Sequence, residues 1–130
     1  SPSAKGDVLV LVGTRKGAFI LSSGHTRKAW QVSGPHSPGS EVFHVSYDPR
    51  NGGTMFAAVN AMIWVPSVQR SHDLRATWLS PQEPPRFTSG VADTVSQVWH
   101  VEPGRANEPG AVYLGVVPAA LFKSDDYGST

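Results

Sequence analysis

Ser71-His72-Asp73-Leu74-Arg75-Ala76-Thr77-Trp78 and Ser124-Asp125-Asp126-Tyr127-Gly128-Ser129-Thr130 are the stretches on which the reading of this chain turns. Each opens with a serine, carries an aspartate two residues on and a threonine six residues on, and in the first Trp78 follows at once. A weaker copy, Ser23-Gly24-His25-Thr26-Arg27-Lys28-Ala29-Trp30, keeps Ser23 and Trp30. Ser71 lies 48 residues after Ser23, and Ser124 lies 53 after Ser71. A period near fifty residues marks a repeat protein whose unit is one small sheet.

The segments ahead of the turns repeat as well. Residues 7–14 correspond to 54–60 and 111–117, and residues 17–22 to 65–70 and 119–123. A further apolar stretch, 41–48 or 94–102, precedes the second and third units. With strands lettered A to D from the inside outward, the chain opens at strand B of one unit. It runs through a complete second unit and ends after strand C of a third, giving segments 7–33, 41–80 and 94–130. Val98-Trp99-His100-Val101 lacks the alternation of His44-Val45-Ser46-Tyr47, which predicts inner strands buried on two sides. Asp48-Pro49-Arg50-Asn51-Gly52-Gly53 and the longer run from Glu102 to Gly110 read as A–B turns. Residues 34–40 and 81–93 read as crossings between units. No stretch has the i, i+3, i+4 apolar spacing of a helix. The expectation is an all-β fold: a partial β-propeller of about two and a half four-stranded antiparallel blades.

Composition agrees. Among 130 residues, thirteen glycines and eleven prolines favour many turns, and 39% hydrophobic with 16% charged residues suits a folded chain. A net charge of +1 without a concentrated basic patch argues against nucleic-acid binding. The absence of cysteine excludes disulfides and thiolate metal sites and fits a reducing compartment. The apolar run Val8-Leu9-Val10-Leu11-Val12 is too short to span a membrane or to form a signal-peptide core. A cytoplasmic location is expected, with secretion after loss of a leader as the alternative.

At its turns the sequence resembles the Asp-box pattern, Ser-x-Asp-x-Gly-x-Thr-Trp, of BNR-repeat β-propellers, a family often described as sialidase-like or glycosyl-hydrolase-like. Ser124, Asp126, Gly128 and Thr130 match it, as do Ser71, Asp73, Thr77 and Trp78, with Arg75 in the glycine place. Ser23 and Trp30 match in the weaker copy, where Arg27 replaces glycine. The segments Val12-Gly13-Thr14-Arg15-Lys16-Gly17, Gln69-Arg70-Ser71 and Val98-Trp99-His100-Val101-Glu102-Pro103-Gly104-Arg105 are also similar to members of that family. So is Pro118-Ala119-Ala120-Leu121-Phe122-Lys123-Ser124-Asp125-Asp126. The resemblance implies that the box closes the C–D hairpin, its aspartate accepting backbone N–H groups and its glycine supplying positive φ. The tryptophan would bury its ring between blades, worth roughly 2–3 kcal/mol by area. These roles make the fold rather than the chemistry. Arg27 and Arg75 are expected to alter the geometry of their turns. Members of the family are longer, so the chain reads as a portion of a larger propeller or one part of a multi-chain ring. Its partners would then be other blades, in the same parent chain or by self-association.

Ligands of propellers bind at one end of the central channel, near the starts of inner strands. Arg15, Glu41, His44, Asp93, His100, Glu102 and Arg105 are the candidates there. His44 and His100 hold corresponding places, in phase with Ser46 and Glu102. They read as two imidazoles serving a metal or a general base, or as inter-blade histidines bonded to the backbone of the next blade. Arg15 reads as a carboxylate clamp of the sialidase kind or as part of a tight B–C turn. Asp93, with Glu83 as an option, would be the acid of a glycosidase-type site, whose remaining members the sequence lacks. Trp64 reads as core or as a sugar-stacking ring, and His25, His36 and His72 as loop or turn residues. No close His/Asp/Glu spacing assigns a metal, and no cofactor motif is present. The function expected is therefore a propeller segment with a structural or ligand-binding role, its ligand a carbohydrate or other small molecule. The alternative is the N-terminal part of a sialidase-like glycoside hydrolase.

Overall fold

The computed structural model describes residues 6–61, 65–73, 77–88, 90 and 93–130. Among them the fold is all-β, in three antiparallel sheets of three strands each. The first sheet holds β1 (Val8–Thr14), β2 (Gly17–Ser23) and β3 (Gln31–His36). The second holds β4 (Glu41–Asp48), β5 (Thr54–Asn60) and β6 (Ser67–Ser71), and the third holds β7 (Gln97–Pro103), β8 (Val112–Val117) and β9 (Ala120–Ser124). In each sheet the strands pair in chain order. A 3-10 turn at Arg50–Gly52 is the one helical element among the described residues. None of their helices is long and apolar enough to cross a membrane.

The expectation of a fourth strand fails in the middle sheet, where it shrinks to one bridge between Arg70 and Leu79. The two residues exchange both backbone hydrogen bonds, at 2.9 and 2.8 Å. The next bonded position falls on Pro81, which has no N–H to give, and the ladder stops. In the first sheet the matching pair, Ser22 with Gln31, instead opens a full strand. That strand runs to His36, through residues expected in a crossing or loop.

Hydrophobic burial places the second sheet between the other two. Phe56, Ala58 and Val68 join Val98, Val101 and the β8 valines in one core cluster. Ala57 and Val59, which alternate with them along β5, join Val42, Val45 and Ala18 in the other. All seven residues of β5 are accordingly buried. Two-sided burial therefore belongs to this second strand of its sheet, not to the inner strands as expected. On β7 only one face is covered, and Trp99 and His100 are exposed.

Specific contacts fix the stacking. A Cβ on Gly13 would sit 2.3 Å from the Val42 carbonyl oxygen, so only glycine lets β1 come this close to β4. Between the second and third sheets the Asn60 amide donates to the Val98 carbonyl at 2.8 Å and accepts the Val98 N–H at 2.7 Å. Buried Asp48 accepts from the Arg50 guanidinium, which also donates to the carbonyls of Arg105, Glu108 and Ala111 in the β7–β8 connection. Burial pushes the Asp48 carboxyl up, but its hydrogen bonds from Arg50 and that residue's charge outweigh this and hold it below the usual value. Arg70 donates to the Tyr127 carbonyl and to the Ser129 hydroxyl.

The two better-conforming turns share one hydrogen-bond set. Ser71 donates to Asp73 Oδ1 at 2.8 Å, and the Thr77 N–H donates to the same atom at 2.9 Å. Ser124 donates to Asp126 Oδ1 at 2.6 Å, and the Thr130 N–H donates to it at 2.9 Å. The Thr130 hydroxyl adds a bond to Asp126 Oδ2. Backbone donation at Asp73 and hydroxyl donation at Asp126 are the leading reasons that both carboxyls are pulled down to about 2. Gly128 takes the positive φ expected of it, 79°.

The first turn has no carboxylate, and there Ser23 donates to the Ala29 carbonyl. Arg27 adopts φ 55°, and the turn is altered as expected: its backbone bond runs from the Arg27 N–H to the Gly24 carbonyl, where the third turn has Ser129 to Asp126. Arg75 and Trp64 lie outside the described residues. Trp78 is half-buried against the core between the first two sheets, with its ring 5.8 Å from that of His36. Trp30, the equivalent residue one sheet earlier, is 41% exposed, contrary to the burial expected of it. Among the described residues its own sheet has a neighbour on one side only.

Candidate functional site

The first strands of the second and third sheets, β4 and β7, share an irregularity. Pairing with β5 shifts register between Val42 and His44, and pairing with β8 shifts between Val98 and His100. The residues passed over are Phe43 and Trp99. Such bulges re-aim the side chains around them, and here they create two successive ring pairs between the sheets. Phe43 and Trp99 meet at 5.7 Å with planes 54° apart, while His44 and His100 stack at 3.8 Å and 24°.

Glu102 completes the group, its Oε2 lying 3.2 Å from His100 Nε2. On the other side the Val101 N–H points at His44 Nδ1 at 3.4 Å. Each residue of the set His44, His100 and Glu102 offers one ligand atom within 4.8 Å of the others. Burial, and then the neighbouring His100, lower the His44 pKa and keep its imidazole neutral near pH 7. A neutral ring of this kind is a base or a ligand rather than a charge. Both readings of the histidines have a footing: His44 does meet the backbone of the next sheet, and His100 turns to a carboxylate on its own strand.

The other candidates lie apart from this group. Arg15 sits in the two-residue β1–β2 turn, closed by the pairing of Thr14 with Gly17. Its side chain is 91% exposed and pairs with Glu41 at 3.7 Å. Asp93 is exposed in the wall of an open cavity of about 770 Å³ that also involves Val65, Pro66, Arg86 and Thr88. Arg105 is exposed, and its carbonyl serves Arg50. His72 hydrogen-bonds Thr54, and His36 hydrogen-bonds Ser33. Of the four residues proposed for chemistry, His44 and His100 come together, whereas Arg15 and Asp93 do not join them.

Sequence reasoning missed the Phe43–Trp99 pair and the Asp48–Arg50 clamp. The first was legible in the repeat, since Phe43 precedes His44 as Trp99 precedes His100. The second was hidden inside a segment read only as a turn.

No protein-family model matches the chain, and no curated protein is similar to it in sequence. The likeness to Asp-box repeats accordingly rests on the residues and hydrogen bonds of the turns themselves.

Proposed function

We propose that the three sheets are successive blades of an Asp-box propeller, and that the edge formed by β4 and β7 binds a carbohydrate without turning it over. The blade reading draws support from the shared Ser–Asp–Thr bonding of two turns placed alike on stacked sheets. The binding reading is carried by one observation: Phe43 and Trp99 keep 38% and 55% of their surface in water while touching each other. Large rings held open beside polar groups form a ligand platform. A sugar's C–H face would cover the rings, and His100 and Glu102 would meet its hydroxyls.

Calorimetric titration with neutral and carboxylated oligosaccharides tests this. Binding by the unmodified chain that disappears in Trp99→Ala, with the circular dichroism unchanged, is the expected outcome. Turnover of fluorogenic glycosides that is lost in Asp93→Asn or Arg15→Ala would replace the binding module with a sialidase-like hydrolase. The exposure of Arg15 and its pairing with Glu41 favour the module.

A further inference from the structure

We propose that His44, His100 and Glu102 form a binding site for one divalent transition-metal ion, zinc by the chemistry of the ligands. This goes beyond carbohydrate binding and does not depend on it; an ion held there would take the two side chains, His100 and Glu102, that otherwise meet sugar hydroxyls. Two imidazole nitrogens and one carboxylate oxygen are the donor set that zinc takes in three-protein-ligand sites, which leave a fourth position to water or a bound molecule. The chain has no thiolate to offer, and the nitrogen donors set the site apart from the all-oxygen cages of calcium and magnesium.

The ligands come from two different sheets, which is why no local spacing in the sequence announces them. His44 is the anchored member: it is half-buried on β4 and lies against the β7 backbone. His100 and Glu102 are exposed and already in contact at 3.2 Å. Donor atoms around a tetrahedral zinc lie about 3.3 Å apart, given zinc–nitrogen bonds near 2.0–2.1 Å. Closing from 4.8 Å therefore asks for an inward turn of the two exposed side chains. The stack must open as well, because rings 24° from parallel aim their nitrogens side by side rather than at a common point. A neutral imidazole has one bare nitrogen, and in His44 it faces the Val101 N–H at 3.4 Å. An ion at Nδ1 replaces that long contact, and an ion at Nε2 shifts the ring proton to Nδ1 and gives the contact up as well.

Calorimetric titration of the full chain with zinc chloride tests the assignment, together with His100→Ala, Glu102→Gln and the turn variant His25→Ala. Both site substitutions fall on exposed side chains, so folding is retained. One ion per chain is expected, with affinity lowered about tenfold or more in His100→Ala and Glu102→Gln and unchanged in His25→Ala. Side-chain NMR should show zinc moving the ring resonances of His44 and His100 and leaving those of His25. Absence of binding by the unmodified chain, equal affinity in His100→Ala, or an equal loss in His25→Ala would each overturn the site.

Discussion

Asp73 and Asp126 titrate at about 2 in the folded chain, against 3.8 for the free side chain. A depressed carboxyl contributes its full stabilisation above the unfolded value and loses it as pH falls through the folded one. The two turns should therefore weaken as pH drops from about 4 to about 2, while remaining unaffected between pH 5 and 7. Thermal midpoints measured across that range check this, and Asp126→Asn should flatten the acid limb while lowering the midpoint at neutral pH. These turns were legible because serine, aspartate and threonine act within seven residues of one another. Arg27 does accompany a changed turn: the bonded turn of the first hairpin runs from Gly24 to Arg27, that of the third from Asp126 to Ser129. The left-handed region costs a non-glycine residue only about 1–2 kcal/mol. Closure of the hairpin by Ser22 with Gln31, and the bond from Ser23 to Ala29, hold the turn in that altered form.

At the scale of elements, the Asp48–Arg50 pair ties the end of β4 to the β7–β8 connection. Asp48 has a side-chain exposure of 1% and Arg50 of 15%, so removal of the guanidinium leaves a carboxylate shut away from water. Arg50→Ala should destabilise the chain by about 3 kcal/mol, measured by urea unfolding. Asp48→Asn combined with Arg50→Leu should recover part of the loss, since no uncompensated charge is then left. Strand existence was readable from apolar runs and their punctuation: β4 and β5 fall where the repeat places them. The fourth strand of the middle sheet was not, because one proline at position 81 cancels a ladder that the repeat otherwise calls for. The histidine pair was visible as two equivalent positions. Its stacking and the nearness of Glu102 depend on bulges that no alternation pattern reveals.

For the molecule as a whole, the decisive feature is what the end sheets leave uncovered. Val10, Val12, Phe19, Leu21 and Val32 pair across β1, β2 and β3 on the face turned from the second sheet. Leu121 on β9 is likewise exposed, beside a β8 whose buried residues face the other way. Apolar sheet faces of this kind favour association. Light scattering should show a mass that climbs with concentration, and Val32→Lys combined with Leu121→Lys should bring it down. A constant monomer mass for the unmodified chain would count against sheet-to-sheet packing on these faces.

The connectors between sheets have a direction. Arg50, Asn60 and Arg70 all spring from the second sheet and grip the third. The first seam is held by the buried cluster of Ala18 with Val42, Val45, Ala57 and Val59, by the glycine contact, and by the exposed Arg15–Glu41 pair and a hydroxyl from Ser37 to Gln69. Genetic exchange ahead of Glu41 would disturb mainly apolar packing, whereas exchange ahead of Gln97 would also remove the carbonyl partners of Arg50 and Arg70 and leave the Asn60 amide without Val98. The two seams thus differ in kind, apolar packing dominating the first and buried polar bonds the second, and the units they join are not interchangeable beads.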